Sequence, residues 1–173
     1  LFEQSNSTTG YEFSELKAWL LSKLLWNPNL DVNKEIREFT ERYYGAASQA
    51  ILDYIGALET ALKETESKLW IYEHPVVHQN DLFSADRMEW YKQLFDQAEQ
   101  AVQNEPVYLN HVRVARLPIQ YAAMEIAVNQ LFSERGWYQL RDDGKTIPNA
   151  ALQNTLEQFE KTCQQNQVPT INE

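Results

Sequence analysis

The chain has 173 residues, enough for one domain or for one domain with a fragment of another. It is 43% hydrophobic and 12% aromatic, which predicts a folded core and excludes a disordered chain. Its formal net charge of −10 makes nucleic acid and anionic membrane surfaces unfavourable partners. No apolar run approaches the roughly 20 residues of a membrane-spanning helix. The single Cys163 excludes an internal disulfide and a cysteine-based metal cluster.

The first predicted helix, from Ser14 to Trp26, is apolar over most of its circumference. Ser14 is of the residue type that caps helices, and the polar loop SNSTTG precedes it. A surface helix normally has one apolar stripe, so this wider apolar surface predicts contact on two sides. We therefore expect the helix to lie between this domain and a neighbour. The apolar opening Leu1-Phe2, with no initiator methionine, indicates the cut end of a larger protein.

Helical periodicity predicts five further helices. Asp31 caps the second helix and Gly45 ends it, because glycine accepts the left-handed backbone that often follows a helix. Ser84 caps the fourth helix. With almost no strand pattern, the predicted fold is all-α, an irregular bundle of about six helices. The approximate ranges of the five are 31–45, 46–66, 84–102, 106–135 and 149–165, with a long connection over 67–83 and a turn over 142–148.

His74 and His78 flank a short apolar stretch, with Glu73 and Asp81 nearby. Two histidines four residues apart on one helix can hold zinc together with a carboxylate. Here Pro75 stands between the two histidines, so their rings need not face the same way. We therefore favour a polar loop packed over the bundle, with no metal and no cofactor.

Acidic and basic side chains occur on the fourth and fifth predicted helices. Arg113 and Arg116 lie three apart on a mostly apolar helix, and arginine can clamp a ligand carboxylate with two hydrogen bonds. We expect instead that their partners are acidic residues of this same chain. The acidic residues of the fourth helix are interpreted as a solvated face rather than a catalytic pair: Asp86, Glu89, Asp96 and Glu99.

Tryptophans are candidates for sugar binding, because the apolar C–H face of a sugar ring stacks on an aromatic ring. Trp137 and Tyr138 follow Gly136, which ends a predicted helix, and have the strongest claim to exposure, although packing is the favoured interpretation. The sequence has no nucleophile elbow, P-loop, dinucleotide fingerprint or kinase motif. Cys163 has no basic partner nearby in the sequence. The chain by itself therefore predicts no catalytic residue. The other tryptophans are Trp19, Trp26, Trp70 and Trp90.

A family resemblance is carried by the stretch ELKAWLLSKLLWNP and, after it, FTERYYGAA, with LFEQSN at the start. The pieces IYEHPVVHQNDLFS and VRVARLPIQYAAME extend it to about residue 130. The chain resembles the C-terminal part of a bacterial family named domain of unknown function 4838, seen mostly in gut Bacteroidetes. Proteins of that family look like glycoside hydrolases related to α-glucuronidases and β-hexosaminidases. The resemblance implies a (β/α)8 barrel followed by a helical domain.

The resemblance also implies a division of the chain. Residues 1–26 would be the last strand, loop and helix of a truncated barrel, and residues 27–173 would be the C-terminal helical domain. Barrel active sites lie at the C-terminal ends of the strands, so Glu3 and Gln4 would border the sugar pocket as substrate-binding residues. The catalytic carboxylates would come from earlier strands. The parent protein would be periplasmic or secreted.

Two hypotheses follow. In the first, the chain is a non-catalytic accessory domain of a glycoside hydrolase acting on polysaccharides, with the upstream barrel as its partner and an oligosaccharide at the shared cleft. In the second, it is an independent helical module that binds protein or carbohydrate. The first predicted helix discriminates between them, because an exposed face would imply a missing barrel. Without a barrel, that face would form an oligomer contact through Leu16, Trp19, Leu20 and Trp26.

Overall fold

Six α-helices and one short hairpin make up the part of the chain that the computed structural model describes, residues 10–65, 68 and 73–168. This arrangement confirms the predicted all-α irregular bundle. The predicted bounds agree closely for the first, second and fourth helices. The helices are α1 (Ser14–Trp26), α2 (Val32–Tyr44), α3 (Ser48–Thr65), α4 (Ala85–Ala101), α5 (Pro106–Asn129) and α6 (Ala150–Asn166). Short 3₁₀ helices cover Gly45–Ala47 and Pro75–His78, and the hairpin strands are β1 (Tyr138–Leu140) and β2 (Thr146–Pro148).

The helix starts follow the expected capping chemistry at α2, whereas α1 begins differently. The Asp31 side chain accepts a hydrogen bond from the backbone N–H of Lys34, at 3.1 Å. The prediction that Ser14 caps α1 is wrong, because Phe13 occupies the cap position with a left-handed backbone, at φ 49°. The Phe13 ring is buried in the core, and the Ser14 hydroxyl donates to Glu15 instead. Core packing therefore sets the start of α1.

Gly45 ends α2 as predicted, with φ 56°. A Cβ at this position would lie 2.9 Å from ring atoms of Tyr108. Glycine is therefore needed both for the backbone angle and for the close approach of α5.

The end of α5 and the segment after it differ from the prediction. The helix ends at Asn129 and not near Arg135, and a tight series of turns follows. A Cβ on Gly136 would collide with the backbone carbonyl of Gln130, so this turn requires glycine. The predicted turn over 142–148 is the tip and second strand of an antiparallel hairpin, in which Gln139 pairs with Ile147. Strands of three residues are too short to show a periodic pattern.

The core lies around α5, which packs against α2, α4 and α6. Its Val112, Ala115 and Ile119 join aromatic residues of α3 and α4 in one buried cluster. Both α4 and α6 pack on α5, but they do not pack closely on each other. This leaves an open groove over α5. None of the described helices combines the length and the apolar character of a membrane span.

The predicted contact face on α1 is corrected by the structure. Leu16 is buried, and Trp19 and Leu20 pack against the core, because α1 lies along α2. Trp26 is 92% exposed and Leu25 is 53% exposed. The four predicted residues therefore do not form one free face, and the exposed apolar surface is confined to the C-terminal end of the helix.

Candidate functional site

A groove lies over α5, between α4 and α6. Its apolar part encloses about 330 Å³ and its polar part about 240 Å³. Arg116, Gln120 and Gln158 line both parts, so the two are continuous. We take this groove as the candidate site because concave sites with apolar walls and a few polar groups are typical of ligand binding.

The polar part of the groove is built around Arg116. Its guanidinium lies 2.7 Å from a carboxylate oxygen of Glu99 and 2.8 Å from one of Asp96. Arg113 contacts the other Glu99 oxygen at 3.5 Å. These ion pairs confirm the prediction that the two arginines are partnered by acidic residues of this chain. The interpretation of the acidic residues of α4 as a solvated face is wrong only for Glu99, because Asp86, Glu89 and Asp96 are exposed.

The chemistry of the polar part follows from these pairs. The Arg116 side chain is 13% exposed and the Glu99 side chain 23% exposed, so both are largely withdrawn from water. Lys161 also lines this part of the groove and adds a positive charge. The arrangement can bind and orient a polar group.

The apolar part of the groove is lined by Met88 of α4, Ile119 and Ala123 of α5, and Leu152 of α6. Arg135 stands at its edge, and burial lowers the pKa of this guanidinium. This part of the groove suits an apolar group with a hydrogen-bonding edge.

Arg135 is fixed by the loop before α4. Its guanidinium donates hydrogen bonds to the backbone carbonyls of Gln79 and Phe83, at 3.2 and 2.7 Å. The residue therefore has a structural role in joining the segment after α5 to that loop.

The two histidines that flank Pro75 point to different partners. His74 Nε2 lies 3.0 Å from a carboxylate oxygen of Glu125, on α5. His78 lies between Glu73 and Asp81, with one ring nitrogen directed at each carboxylate. Within the described ranges, no group of three or more histidine, cysteine, aspartate or glutamate residues is arranged to hold a metal ion.

Trp137, the predicted sugar-stacking residue, is half-buried at the base of the hairpin. Its backbone carbonyl accepts a hydrogen bond from Asn149 N–H at 2.8 Å. The more exposed aromatic rings here are those of Phe132 and Tyr138, 63% and 42% exposed, with centroids 6.1 Å apart. The other predicted substrate-binding residues, Glu3 and Gln4, lie outside the described residues, as does Trp70.

Cys163 is a free, half-buried thiol on α6. Burial raises its pKa, and the nearby negative charge of Glu160 raises it further. A nucleophilic cysteine needs the opposite shift, because the thiolate is the reactive form. The structure therefore gives Cys163 the character of a packing residue.

Sequence reasoning anticipated the exposure of Tyr138 but missed the groove and the exposure of Phe132. Phe132 lies in a segment that was predicted to be helical. It is exposed beside Tyr138 because α5 ends at Asn129, six residues before the predicted end. The apolar residues at the start of the hairpin were a signal that could have indicated an exposed aromatic surface. The groove has no such local signal, because its walls come from helices far apart in the sequence.

Comparison with known proteins gives one family match. The model of the family described as Domain of unknown function (DUF4838) matches residues 1–56 of the 173. This match supports the predicted family for that part of the chain, which includes α1 and α2. No curated protein and no solved structure matches the chain.

Proposed function

We propose that this chain is a non-catalytic helical accessory domain of a glycoside hydrolase that acts on polysaccharides, and that it packs against the barrel of its parent protein through the C-terminal end of α1. The structural observation that carries the proposal is the exposure of Leu25 and Trp26. A tryptophan that is 92% exposed at the end of an apolar helix is typical of a surface that another protein surface covers.

The position of this surface supports the proposal. The family match covers the whole of α1, so the exposed end belongs to the segment that the family shares. The other side of the same helix is anchored: Leu16 is buried, and Lys23 forms an ion pair with the buried Glu35 of α2 at 2.6 Å. The helix is therefore anchored to the bundle on one side, and its C-terminal end presents apolar surface away from the bundle.

The chemistry of the described residues supports an accessory role. A glycosidase needs two carboxylates about 5–10 Å apart on either side of the scissile bond. Glu99, in the groove, and the adjacent Asp96 are engaged by arginines. Outside the groove, His78 has both ring nitrogens directed at carboxylates. Binding and orientation are the roles that these groups can perform.

The intact mass of the natural gene product, taken from its source cells, tests whether a barrel precedes this segment. We expect a mass several times the 20.3 kDa of the present chain. A mass near 20.3 kDa would overturn the proposal, because the exposed end of α1 would then have no barrel to cover it.

A pair of matched tryptophan variants tests the contact itself. The upstream part of the parent protein is produced separately and its affinity for this chain is measured by calorimetry. We expect Trp26→Ser to weaken binding at least tenfold, about 1.4 kcal/mol, because central tryptophans dominate interface energies. Trp90→Ser is the control, since Trp90 is also exposed, at 45%, but lies on α4. Equal effects of the two substitutions would count against α1 as the contact.

A direct activity assay completes the test. Pure protein should not hydrolyse aryl glycosides. Turnover that is abolished by Glu3→Gln would contradict a non-catalytic role and would place chemistry in the N-terminal segment.

A second candidate function is carbohydrate binding by an independent module, favoured by the exposed rings of Phe132 and Tyr138 beside Trp137. Titration with soluble neutral oligosaccharides, followed by protein NMR, would shift the signals of these residues. Tyr138→Ala should abolish the shifts and Trp90→Ala should preserve them. The absence of any shift at millimolar sugar would remove this candidate.

A further inference from the structure

In the loop before α4, residues 73–83, the ring of one histidine contacts two carboxylates of the same loop. The side chain of His78 is only 9% exposed. Its Nε2 lies 3.0 Å from a carboxylate oxygen of Glu73, and its Nδ1 lies 3.2 Å from both carboxylate oxygens of Asp81. Both edges of the ring therefore face hydrogen-bond acceptors.

This arrangement constrains the protonation of His78. A neutral imidazole has one N–H and one lone pair, whereas an ionised carboxylate can only accept. Contacts from both ring nitrogens to carboxylates therefore require a proton on each nitrogen. We propose that Glu73, His78 and Asp81 form a protonation clasp, which holds residues 73–83 in their folded conformation while the imidazole carries both protons and loosens them when one proton is lost.

His74, in the same loop, shows why the requirement is specific to His78. Its Nδ1 accepts from the backbone N–H of Val76 at 3.4 Å, while its Nε2 lies 3.0 Å from Glu125. One donor and one acceptor satisfy a neutral ring, so this contact needs no charge. Of the two histidines, only His78 has a carboxylate facing each ring nitrogen.

The other charged groups around the loop are already partnered. Arg87 of α4 donates to the backbone carbonyl of Asp81 at 2.7 Å and pairs with Glu64 of α3. Arg135, beyond α5, donates to two backbone carbonyls of the loop. The charges that act on His78 are those of Asp81 and Glu73. The clasp is therefore a local unit of three side chains.

The direction of the pH dependence follows from these contacts. Burial lowers the pKa of His78, but the hydrogen bonds and negative charges of Glu73 and Asp81 outweigh it, so the pKa is raised above its ordinary value. An unfolded histidine has a pKa of about 6.5. The stabilisation by the clasp is thus fully present below about pH 6.5 and is lost as pH rises through the higher folded-state pKa.

An NMR titration of the full chain from about pH 5 to pH 9 tests the clasp. We expect the His78 ring signal to titrate with a midpoint above about 6.5. The amide signal of Phe83, whose N–H donates to the His78 carbonyl at 2.9 Å, should shift with the same midpoint. Asp81→Asn should lower the His78 midpoint by about one unit, a tenfold loss of proton affinity.

Glu125→Gln is the matched control, because a glutamine oxygen can still accept from His74. It should leave the His78 midpoint unchanged. A wild-type midpoint at or below about 6.5, or a Phe83 amide that does not follow it, would overturn the clasp. An equal lowering by Glu125→Gln would also overturn it. The wild-type titration decides the question even if Asp81→Asn fails to fold.

Discussion

Helices α1 and α5 are both apolar on nearly all sides, yet they are buried to very different extents. Ten residues of α5 are buried, on several faces, because α2, α4 and α6 surround it. In α1 only Ser14 and Leu16 are buried, and the helix ends with Leu25 and Trp26 in solvent. Two helices of similarly apolar sequence thus differ in place: α5 is the central helix, whereas α1 leaves apolar side chains exposed at its end. What differs is the set of neighbours that each helix has.

Matched leucine truncations should show the largest difference between the two helices. Leu117 of α5 is 1% exposed, so Leu117→Ala should cost about 3 kcal/mol of unfolding free energy, through lost burial and the cavity left behind. Leu25→Ala should cost less than about 0.5 kcal/mol, because that side chain already contacts water. Urea denaturation measures both variants. Equal losses would show that the end of α1 is packed within this chain.

A truncation at the other end of α1 sharpens the comparison. Leu16 is buried against the core, so Leu16→Ala should cost about 2 kcal/mol, measured in the same way. The expected loss of unfolding free energy on truncation therefore falls along the helix, from this value at Leu16 to almost none at Leu25. A negligible cost at Leu16 would mean that the bundle does not hold α1, and the exposed end would then lose its rigid support.

The sequence predicted the helices more completely than the connections between them. Asp31 and Gly45 have local signatures, a capping side chain and a glycine with positive φ, so the bounds of α2 could be inferred. The end of α5 could not, because the chain turns where Gly136 packs against backbone carbonyls rather than where the apolar pattern stops. At Phe13, tertiary packing overrode the local preference for a serine cap.

The ion pairs on α5 should show an effect of intermediate size. Arg116→Met removes two contacts and leaves Glu99 largely buried beside only one arginine, so we expect a loss of about 1 kcal/mol. Arg113→Met is the control and should cost less than about 0.5 kcal/mol, because its side chain is 44% exposed and its contact is longer. A larger loss for Arg113→Met would show that Arg113, and not Arg116, is the principal partner of Glu99.

The candidate site was predictable only in part. The spacing of Arg113 and Arg116 allowed their acidic partners to be anticipated, because neighbouring helices in a bundle bring such side chains together. The groove depends on α4 and α6 packing on α5 without closing over it, a property of three helices that no short motif encodes. Glu3 and Gln4 remain a prediction outside the described residues.

The smallest effect on stability is expected at Trp26. Trp26→Ser should change the unfolding free energy by less than about 0.5 kcal/mol, since the indole is almost fully exposed. The measurement is again urea denaturation, followed by circular dichroism so that loss of the fluorophore does not disturb the signal. A large destabilisation would show that the indole is packed in solution, and the contrast between α1 and α5 would fail.

The attachment of α6 has a consequence for motion. This helix packs mainly on α5, and its C-terminal end is fastened by reciprocal amide hydrogen bonds between Asn110 and Asn166, at 2.8 and 3.0 Å. Helices α2, α3, α4 and α5 each pack on at least two other helices. In native-state hydrogen exchange, the amides of α6 should therefore open together and before those of α5, as a separate cooperative unit. Because α6 forms one wall of the groove, that opening would expose the floor of the groove without unfolding the core.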